Sequence, residues 1–302
     1  MKSILSIIFI ILFIPLIIIN IFFIKESQIF HVYESSIIRI KREETDEIIE
    51  VAFEEYIIGV VSAEMPASFE LDALKAQSVA ARTYAIKKIK DTSSYDLVDT
   101  VMNQVYIDTE EQKEKWGDNY EFYYNKIKDA VLDTAGEYLV YEDEIIEALY
   151  FSTSSGYTQN SEDVFVSAKP YLVSVESSWD TISPVFSEEN QYSLIDFYTM
   201  LDIVYSDSLI IEYTDITDVG RVNELKINDV IFSNSEFINI FDVRSSTYEV
   251  TQLSNNVIIK SYGYGHGVGM SQYGAQAMAL EGYSYEEILK YYYQGVEIKN
   301  DL

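Results

Sequence analysis

The hydrophobic residues around position 60 repeat with the period of an α-helix. Phe53, Ile57, Val60 and Val61 follow one another at helical spacings, and the next position on the same face is Glu64. A proline follows two residues after Glu64. Because the residue before a proline is pushed out of the α region, the helix is predicted to end near Glu64.

Glu64 is therefore predicted to lie in the last turn of a helix, on the side that faces the protein interior. Desolvation there disfavours the charged carboxylate, and so does the negative end of the helix dipole. Both effects raise the pKa of the side chain, and a carboxyl group that stays protonated near neutral pH can serve as a general acid. Two simpler alternatives stay open: Glu64 turns toward solvent, or it pairs with a nearby lysine or arginine.

A second, alanine-rich helix is predicted directly after the first. Its alanines give high helix propensity and allow close packing, which indicates a central helix. They are Ala73, Ala76, Ala80, Ala81 and Ala85. Arg82 lies among them. Since a buried or half-buried arginine needs a partner, Arg82 is predicted either to form a structural ion pair or to contact an oxygen of a substrate.

Alternating apolar and polar positions elsewhere predict antiparallel strands. Two short runs, 37–40 and 48–51, flank a polar turn and predict a hairpin. A second hairpin is predicted from 137–141 and 145–151, and several further strands between 210 and 259.

Helices are predicted over 120–134 and 193–201, and after a capping box at 284–287. The stretch 93–116 is predicted to be irregular. Together these patterns predict an α+β fold: one mixed domain with antiparallel strands and the alanine-rich helix at its centre.

The N-terminal residues differ from the rest in character. Segment 4–24 is almost wholly apolar and has about the length of a helix that spans a bilayer. No small-residue cleavage site follows, so a retained transmembrane anchor is predicted rather than a removed signal peptide. Lys2 precedes the segment and favours a cytoplasmic N-terminus. The predicted organisation is an anchor over 1–25, a lead-in over 26–50 and one domain over 51–302.

Composition and charge argue against several classes of partner and cofactor. With 21 basic and 50 acidic residues the formal net charge is −29, which argues against nucleic acid as a partner. The chain has no cysteine, which excludes disulfides and thiolate metal sites. Its two histidines are His31 and His266, too few for a typical histidine site. We therefore expect no metal and no other cofactor.

Two polar segments are candidates for binding a ligand. Hydroxyl residues run from 152 to 158, directly after a predicted strand, and form either a plain turn or a polar rim for ligand hydroxyls. Glycines alternate over 263–269, ahead of a helix predicted to start near Ser271. Such a pattern lets another backbone or a ligand approach closely. His266 in this segment either hydrogen-bonds a substrate or has a structural role.

Four sequence blocks together resemble one protein family. They are EEYIIGVVSAEMPASFELDALKAQSVAARTYA, YFSTSSGYTQNSEDVF, PYLVSVESSWD and GYGHGVGMSQYGAQAMALEGYSYEEILKYYYQG. In this order they are similar to the stage II sporulation protein D family and its amidase-enhancer relatives, over residues 51–295. The SAEMP and GHGVGMSQYGA blocks are specific in combination, and the N-terminal anchor also resembles the architecture of that family.

The resemblance implies a membrane-anchored lytic transglycosylase of sporulation, which acts in septal wall remodelling and engulfment. Such enzymes cut peptidoglycan glycan strands between N-acetylmuramic acid and N-acetylglucosamine, and prefer strands stripped of stem peptides. The catalytic glutamate of the family matches Glu64. Some members hold zinc through cysteine and histidine, and that site cannot be carried over to a chain without cysteine.

The resemblance also implies where the protein works and with what. It implies a single-pass protein of the cell membrane, with its catalytic domain on the extracytoplasmic side of the septum between mother cell and forespore. Its implied partners are the stage II sporulation proteins P and M. The candidates for orienting sugar hydroxyl and acetamido groups are Arg82, Ser152, Ser154, Tyr157, His266 and Gln272.

One carboxyl group is enough for this chemistry. Glycosidases that use water employ two carboxyl groups, whereas a lytic transglycosylase closes the C6 hydroxyl of the muramic residue onto its own C1. Two rival hypotheses stay open. One is a non-catalytic, wall-binding enhancer of a partner amidase. The other is an ordinary hydrolase whose second carboxylate is Glu162 or Asp163.

Overall fold

The computed structural model describes residues 37–89, 94–165 and 167–300. It confirms a mixed α+β fold with antiparallel sheets and divides the chain into two compact units. The predicted anchor lies outside the described residues, and no helix within them is long and apolar enough to cross a membrane. That residues 51–302 act as one catalytic domain stays a prediction.

The first unit holds the described residues up to Ala67 and those from Lys88 to Glu137. Its elements are β1 (Ile37–Lys41), β2 (Ile48–Ala52), α1 (Phe53–Glu64), β3 (Leu97–Val98), α3 (Thr109–Trp116) and α4 (Tyr120–Asp133). Strands β1 and β2 form the predicted antiparallel hairpin, and β3 joins the other edge of β1 in parallel. The helix predicted over 120–134 is confirmed as α4.

Helix α1 ends where the sequence predicts. Met65 follows it with extended backbone angles (φ −119°, ψ 140°), as expected for a residue that precedes a proline. Helix α3 lies in the stretch predicted to be irregular, so that prediction was wrong. Its start is fixed by a capping box, in which the Asp108 side chain accepts from the Glu111 backbone N–H and the Glu111 side chain accepts from the Asp108 N–H.

Residues 104–107 pack along α1, and Gly59 makes the close approach possible. The Ile107 N–H points to the Gly59 carbonyl oxygen at 3.5 Å. The Tyr56 hydroxyl donates to Gln104 Oε1 at 2.9 Å, and the Tyr56 and Tyr106 rings stack with centroids 5.7 Å apart. A Cβ atom on Gly59 would lie 2.3 Å from the Tyr106 ring and 2.7 Å from the Ile107 carbonyl oxygen.

The second unit holds residues Ser68–Lys87 and Tyr138–Lys299. Its helices are α2 (Leu71–Lys88), α5 (Ser161–Val164), α6 (Leu194–Met200), α7 (Asn234–Phe241), α8 (Gln272–Leu280) and α9 (Tyr285–Tyr292). The last residue of α2, Lys88, belongs to the first unit. A 3₁₀ turn spans Ser178–Ile182. The helices predicted over 193–201, near Ser271 and after Ser284 are confirmed as α6, α8 and α9.

The strands of the second unit form four small sheets. They are β4 (Tyr138–Tyr141), β5 (Glu144–Ile145), β6 (Tyr150–Phe151), β7 (Ser187–Ser193), β8 (Ile211–Ile216), β9 (Val222–Ile227), β10 (Val230–Ser233), β11 (Thr247–Leu253), β12 (Asn256–Tyr262), β13 (Met270–Ser271) and β14 (Glu297–Lys299). The sheet orders are β10-β9-β8, β11-β12-β7, β14-β4-β5 and β13-β6. The first three sheets are antiparallel throughout, as predicted.

One predicted pairing is wrong. The hairpin expected from 137–141 and 145–151 exists only between β4 and β5, whereas β6 pairs in parallel with β13. The alternating glycines permit this pairing. A Cβ atom on Gly269, whose φ is +83°, would lie 2.0 Å from the Leu149 carbonyl oxygen. Another backbone thus makes the close approach that the glycine pattern predicted.

The middle of the alanine-rich helix α2 is buried on every side, as expected for a central helix. Every residue from Ala76 to Ala85 is buried, and a helix without an exposed face is a core helix. Its polar side chains also bind neighbouring elements. The Thr83 hydroxyl, for example, accepts a hydrogen bond from the Leu139 N–H at the start of β4, at 3.0 Å.

Replacing Gly59 by alanine is expected to lower the free energy of unfolding. Alanine gains about 1 kcal/mol of helix propensity over glycine, but relieving an overpacked contact costs about 1–3 kcal/mol. The Ile107 carbonyl belongs to the backbone and cannot turn away as a flexible side chain would. Urea denaturation of both proteins measures the difference. An equally stable variant would show that residues 104–107 yield to the added methyl group.

Candidate active site

The Glu64 carboxyl group lies half-buried at the C-terminal end of α1. The Val105 N–H donates a hydrogen bond to Glu64 Oε1 at 2.8 Å. The packing of residues 104–107 along α1 brings this N–H to the end of the helix. Oε2 has no hydrogen-bond partner among the described residues. One oxygen is thus fixed, and the other can meet a ligand.

Lys115 lies in the last turn of α3 and places a positive charge at the same helix end. Its Nζ donates to the carbonyl oxygens of Ser62 at 2.7 Å and Ala63 at 3.2 Å. These carbonyls belong to the last turn of α1, where backbone oxygens lack partners within the helix. The ammonium group satisfies them and opposes the negative end of the helix dipole.

The balance of these effects raises the pKa of Glu64 above its ordinary value. Burial is the largest cause, and the Val105 N–H and the charge of Lys115 partly oppose it. Burial also lowers the pKa of Lys115, and Glu64 opposes that shift. The predicted direction for Glu64 is confirmed, but Lys115 offsets the helix dipole that was expected to contribute. Desolvation is therefore the main cause of the raised pKa of Glu64.

The six predicted binding residues all lie in the second unit, and they differ widely in exposure. Arg82 is completely buried, with 0% of its surface exposed. This burial fits the predicted structural role, and contact of Arg82 with an oxygen of a substrate stays a prediction. The Tyr157 side chain is 47% exposed, so it is open to a ligand.

Ser154 is bound into a buried network around an aspartate that sequence analysis missed. Asp180, with 0% exposure, accepts hydrogen bonds from the Ser154 N–H (2.8 Å) and Ser154 hydroxyl (2.9 Å). The Ser177 hydroxyl (2.5 Å) and the Ser271 hydroxyl also donate to it. Burial raises the pKa of Asp180, and these hydrogen bonds partly oppose the rise. Nothing in the hydrophobic pattern marked Asp180 as buried.

Ser152 lies two residues before Ser154, and Gln272 directly follows Ser271 of this network. The Ser152 carbonyl accepts from the Tyr273 N–H at 3.1 Å, and its hydroxyl lies 3.2 Å from the Thr153 hydroxyl. Gln272, the first residue of α8, is buried, and its Nε2 has no partner among the described residues. Substrate contact by either side chain stays a prediction.

His266 is a neutral imidazole held within the glycine segment. Its Nδ1 accepts from the Val268 N–H at 3.1 Å, and its ring contacts the rings of Phe151 and Phe165. Burial lowers the pKa of His266 to about 4. The neutral state was predicted from a helix N-terminus, but desolvation is its cause. A neutral imidazole can accept or donate a hydrogen bond, and it does not act as a cation.

The carboxylates considered for a hydrolase also lie in the second unit. Glu162 and Asp163 belong to the short helix α5. Glu162 is exposed, and Asp163 Oδ2 accepts from Asn160 Nδ2 at 2.9 Å. Over the described ranges, no three or more metal-ligating side chains group so as to hold an ion.

Comparison with known proteins identifies several relatives. A family model, SpoIID, described as stage II sporulation protein, matches residues 41–141, which include Glu64, Val105 and Lys115. Stage II sporulation protein D of Bacillus subtilis (strain 168) is 40% identical over 255 residues, covering 82% of this chain and 74% of that protein. The protein of the same name from Bacillus amyloliquefaciens has the same identity and coverage. The amidase enhancer of Bacillus subtilis (strain 168) is 32% identical over 295 residues, covering 80% of this chain and 40% of that protein.

Replacing Asp180 by alanine is expected to lower the free energy of unfolding by about 3 kcal/mol or more, because buried donors left without an acceptor cost about 1–3 kcal/mol each. Asp180→Asn, which keeps one acceptor oxygen, should lose less. Chemical denaturation measures both. The control is Asp196→Ala, at an exposed aspartate that accepts from the Ser193 hydroxyl, where a loss below about 1 kcal/mol is expected. Equal losses of stability at Asp180 and Asp196 would show that the hydrogen bonds to Asp180 do not stabilise the fold.

Replacing Glu64 by glutamine is expected to stabilise the protein, relative to wild type, increasingly as pH rises. A raised folded-state pKa means that the native state holds this proton more tightly than the unfolded chain. Wild type therefore loses stability as pH rises from the ordinary glutamate pKa to the raised one, whereas glutamine does not titrate. Denaturation of both proteins between about pH 4 and about pH 8 measures the change.

Lys115→Met provides the matched control for that experiment. It removes a cation that lowers the pKa of Glu64. The loss of stability with rising pH should therefore become larger. In a Glu64→Gln background, Lys115→Met should not make the free energy of unfolding depend on pH between about pH 4 and about pH 8. A stability difference between wild type and Glu64→Gln that stays constant with pH would contradict the raised pKa.

Proposed function

Because the chain belongs to the stage II sporulation protein D family, we propose that it is a lytic transglycosylase that cuts peptidoglycan glycan strands during sporulation. The family membership confirms the resemblance seen in the sequence. The proposed bond is the one between N-acetylmuramic acid and N-acetylglucosamine, and the proposed product ends in 1,6-anhydro-N-acetylmuramic acid. Its setting would be the remodelling of the septal wall and engulfment.

The observation that carries the proposal is the state of the Glu64 carboxyl group. Its pKa is raised by burial, one oxygen is fixed by the Val105 N–H, and the other has no partner among the described residues. A carboxyl group with a raised pKa keeps its proton to a higher pH than an ordinary glutamate and can pass it to a glycosidic oxygen. Hydrogen bonding of Oε1 would fix the direction from which Oε2 meets the substrate.

The reaction then needs the same group twice. Glu64 protonates the glycosidic oxygen as the bond to C1 breaks, and N-acetylglucosamine leaves. The carboxylate so formed takes the proton of the muramic C6 hydroxyl, whose oxygen bonds to C1. The intramolecular attack has a large advantage in effective concentration. Burial favours the acid form, while Lys115 and the Val105 N–H support the carboxylate form, and this balance suits a group that alternates between both.

Tyr157 and His266 remain predicted residues for orienting sugar groups. Tyr157 is exposed and His266 is a neutral hydrogen-bonding ring, and both border one polar pocket. Contact of Ser152, Ser154 and Gln272 with sugar groups also belongs to the proposal. Membrane attachment through residues 1–25, an extracytoplasmic location and partnership with stage II sporulation proteins P and M belong to the proposal.

A second candidate function is supported by one specific relative. The amidase enhancer of Bacillus subtilis shares 32% identity with this chain. A protein of that kind would bind the wall and raise the activity of a partner amidase without cutting glycan itself. The two functions differ in the need for a titrating carboxyl group at position 64, since an enhancer has no proton to transfer.

The products formed from peptide-free glycan strands test the proposal. Wild type should yield strands that end in anhydro-muramic acid, identified by mass spectrometry as one water lighter than a hydrolysis product. Glu64→Gln should lower the rate by about 10²–10⁴-fold, the usual contribution of a general acid. Glu162→Gln and Asp163→Asn are the controls and should keep the activity.

Each other outcome identifies a different function. Reducing ends would indicate a hydrolase, and loss of activity in the Glu162 or Asp163 variant would identify its second carboxylate. No cleavage, together with faster release of stem peptides by an added amidase, would indicate the enhancer.

A further inference from the structure

Aromatic side chains lie together on the surface of the first unit, where α3 meets α4. The centroid of the Trp116 ring is 6.4 Å from that of Tyr120 and 5.8 Å from that of Tyr123, and Phe122 contacts Tyr123 edge-on at 5.4 Å. Trp116 and Tyr123 are half-buried, and 69% of Phe122 is exposed. We call Trp116, Phe122 and Tyr123 the aromatic platform. Exposed apolar side chains that form a group, unlike single ones, are typical of a binding site.

The turn between the two helices builds the aromatic platform. Gly117 ends α3 with φ +50° and ψ −125°, a backbone conformation that L side chains rarely adopt, and a 3₁₀ turn leads into α4. This change of direction places Trp116 against the first turn of α4. Tyr120 stacks on Tyr124 with centroids 5.5 Å apart, and a lysine ammonium group lies 5.9 Å from the centroid of each ring. These two tyrosines therefore brace the platform from the side.

The aromatic rings lie beside the helix that carries Glu64. Lys115, which precedes Trp116, donates to two carbonyl oxygens in the last turn of α1. Near the other end of α1, the charge of Glu55 adds to the burial that raises the pKa of Tyr124 to about 12. Glu55 and Glu64 are nine positions apart, about 14 Å along a helix. The aromatic rings thus follow α1 away from Glu64, over more length than one sugar ring occupies.

The chemistry of the platform selects the kind of ligand. Tryptophan and tyrosine combine an apolar ring face with a polar edge. A pyranose with equatorial substituents, such as N-acetylglucosamine, matches them, because its C–H bonds form apolar faces and its polar groups lie around the rim. Exposed acidic side chains flank the platform at Glu114, Asp118 and Glu121. Together with the net charge of −29 they disfavour anionic lipids and acidic polymers, and an uncharged sugar avoids that repulsion.

We propose that the aromatic platform is a binding subsite for the glycan strand, in which N-acetylglucosamine rings stack against Trp116. The choice of a glycan as the ligand rests on the proposed function. A glycan strand extends beyond the bond that is cut, and the platform begins next to the end of α1 that carries Glu64. The platform holds neutral sugar rings and transfers no proton. Its loss should therefore weaken binding of the strand and leave the chemistry at Glu64 in place.

The two tryptophans of the chain provide a direct test, because Trp116 is in the platform and Trp179 is in the second unit. In Trp179→Phe, the tryptophan fluorescence comes from Trp116 alone. Chitotetraose, a chain of four N-acetylglucosamine units, is titrated into the full-length protein in detergent. The emission of Trp116 should shift to shorter wavelengths as the sugar displaces water. Trp116→Phe is the matched control, since it leaves Trp179 as the reporter and its emission should not change.

Affinity and kinetics give a second measurement. In calorimetry, Trp116→Leu should bind chitotetraose at least about tenfold more weakly than wild type. Trp116→Phe keeps an aromatic ring and should keep most of the affinity. Phe122→Ser changes an exposed position that the fold tolerates, and it should also weaken binding. On peptide-free strands, Trp116→Leu should raise KM and leave kcat nearly unchanged, as expected when an interaction contributes equally to substrate and transition state.

The outcomes separate this inference from the proposed reaction. Emission of Trp116 that does not respond to the sugar, or an unchanged KM in Trp116→Leu, would overturn the platform. Emission that changes on dilution without sugar would show that a second copy of the chain covers the rings, and would also overturn it. Glu64→Gln should bind chitotetraose as tightly as wild type. A protein that binds the sugar at Trp116 but cuts no glycan would support the platform and contradict only the transglycosylase.

Discussion

The cost of removing the Glu64 carboxyl group from water is the constraint on which the candidate chemistry depends. Without compensation, that cost would raise the pKa of Glu64 further, and with full compensation the pKa would stay at its ordinary value. Here the compensation is partial. One N–H from Val105 and one nearby cation, Lys115, oppose burial without cancelling it. A group in that balance can change its protonation state within one reaction cycle.

This balance depends on several local features of the sequence that act together. The proline after Met65 ends α1, so that Glu64 falls in the last turn. Gly59 allows residues 104–107 to lie against α1, which brings the Val105 N–H within 2.8 Å of Oε1. Directly afterwards, the capping box at Asp108 starts α3, whose last turn carries Lys115 back to the end of α1.

Sequence analysis predicted the features that local physics determines and missed those made by distant partners. The face and end of α1, and the burial of α2, follow from spacing, proline and alanine content. In contrast, Lys115 meets Ser62 across 53 positions, and Ser271 meets Asp180 across 91. No periodicity encodes such pairs. The hairpin error has the same origin, since β6 pairs with β13 from another part of the chain.

Glu64 and Asp180 show why burial of a carboxyl group does not by itself identify a catalytic residue. Burial raises the pKa of both. Asp180, however, is inaccessible and accepts four hydrogen bonds that join three segments of the second unit, so both oxygens are occupied. Glu64 keeps one oxygen without a hydrogen-bond partner among the described residues. Unused hydrogen-bonding capacity at an accessible site, more than a shifted pKa, indicates where a substrate binds.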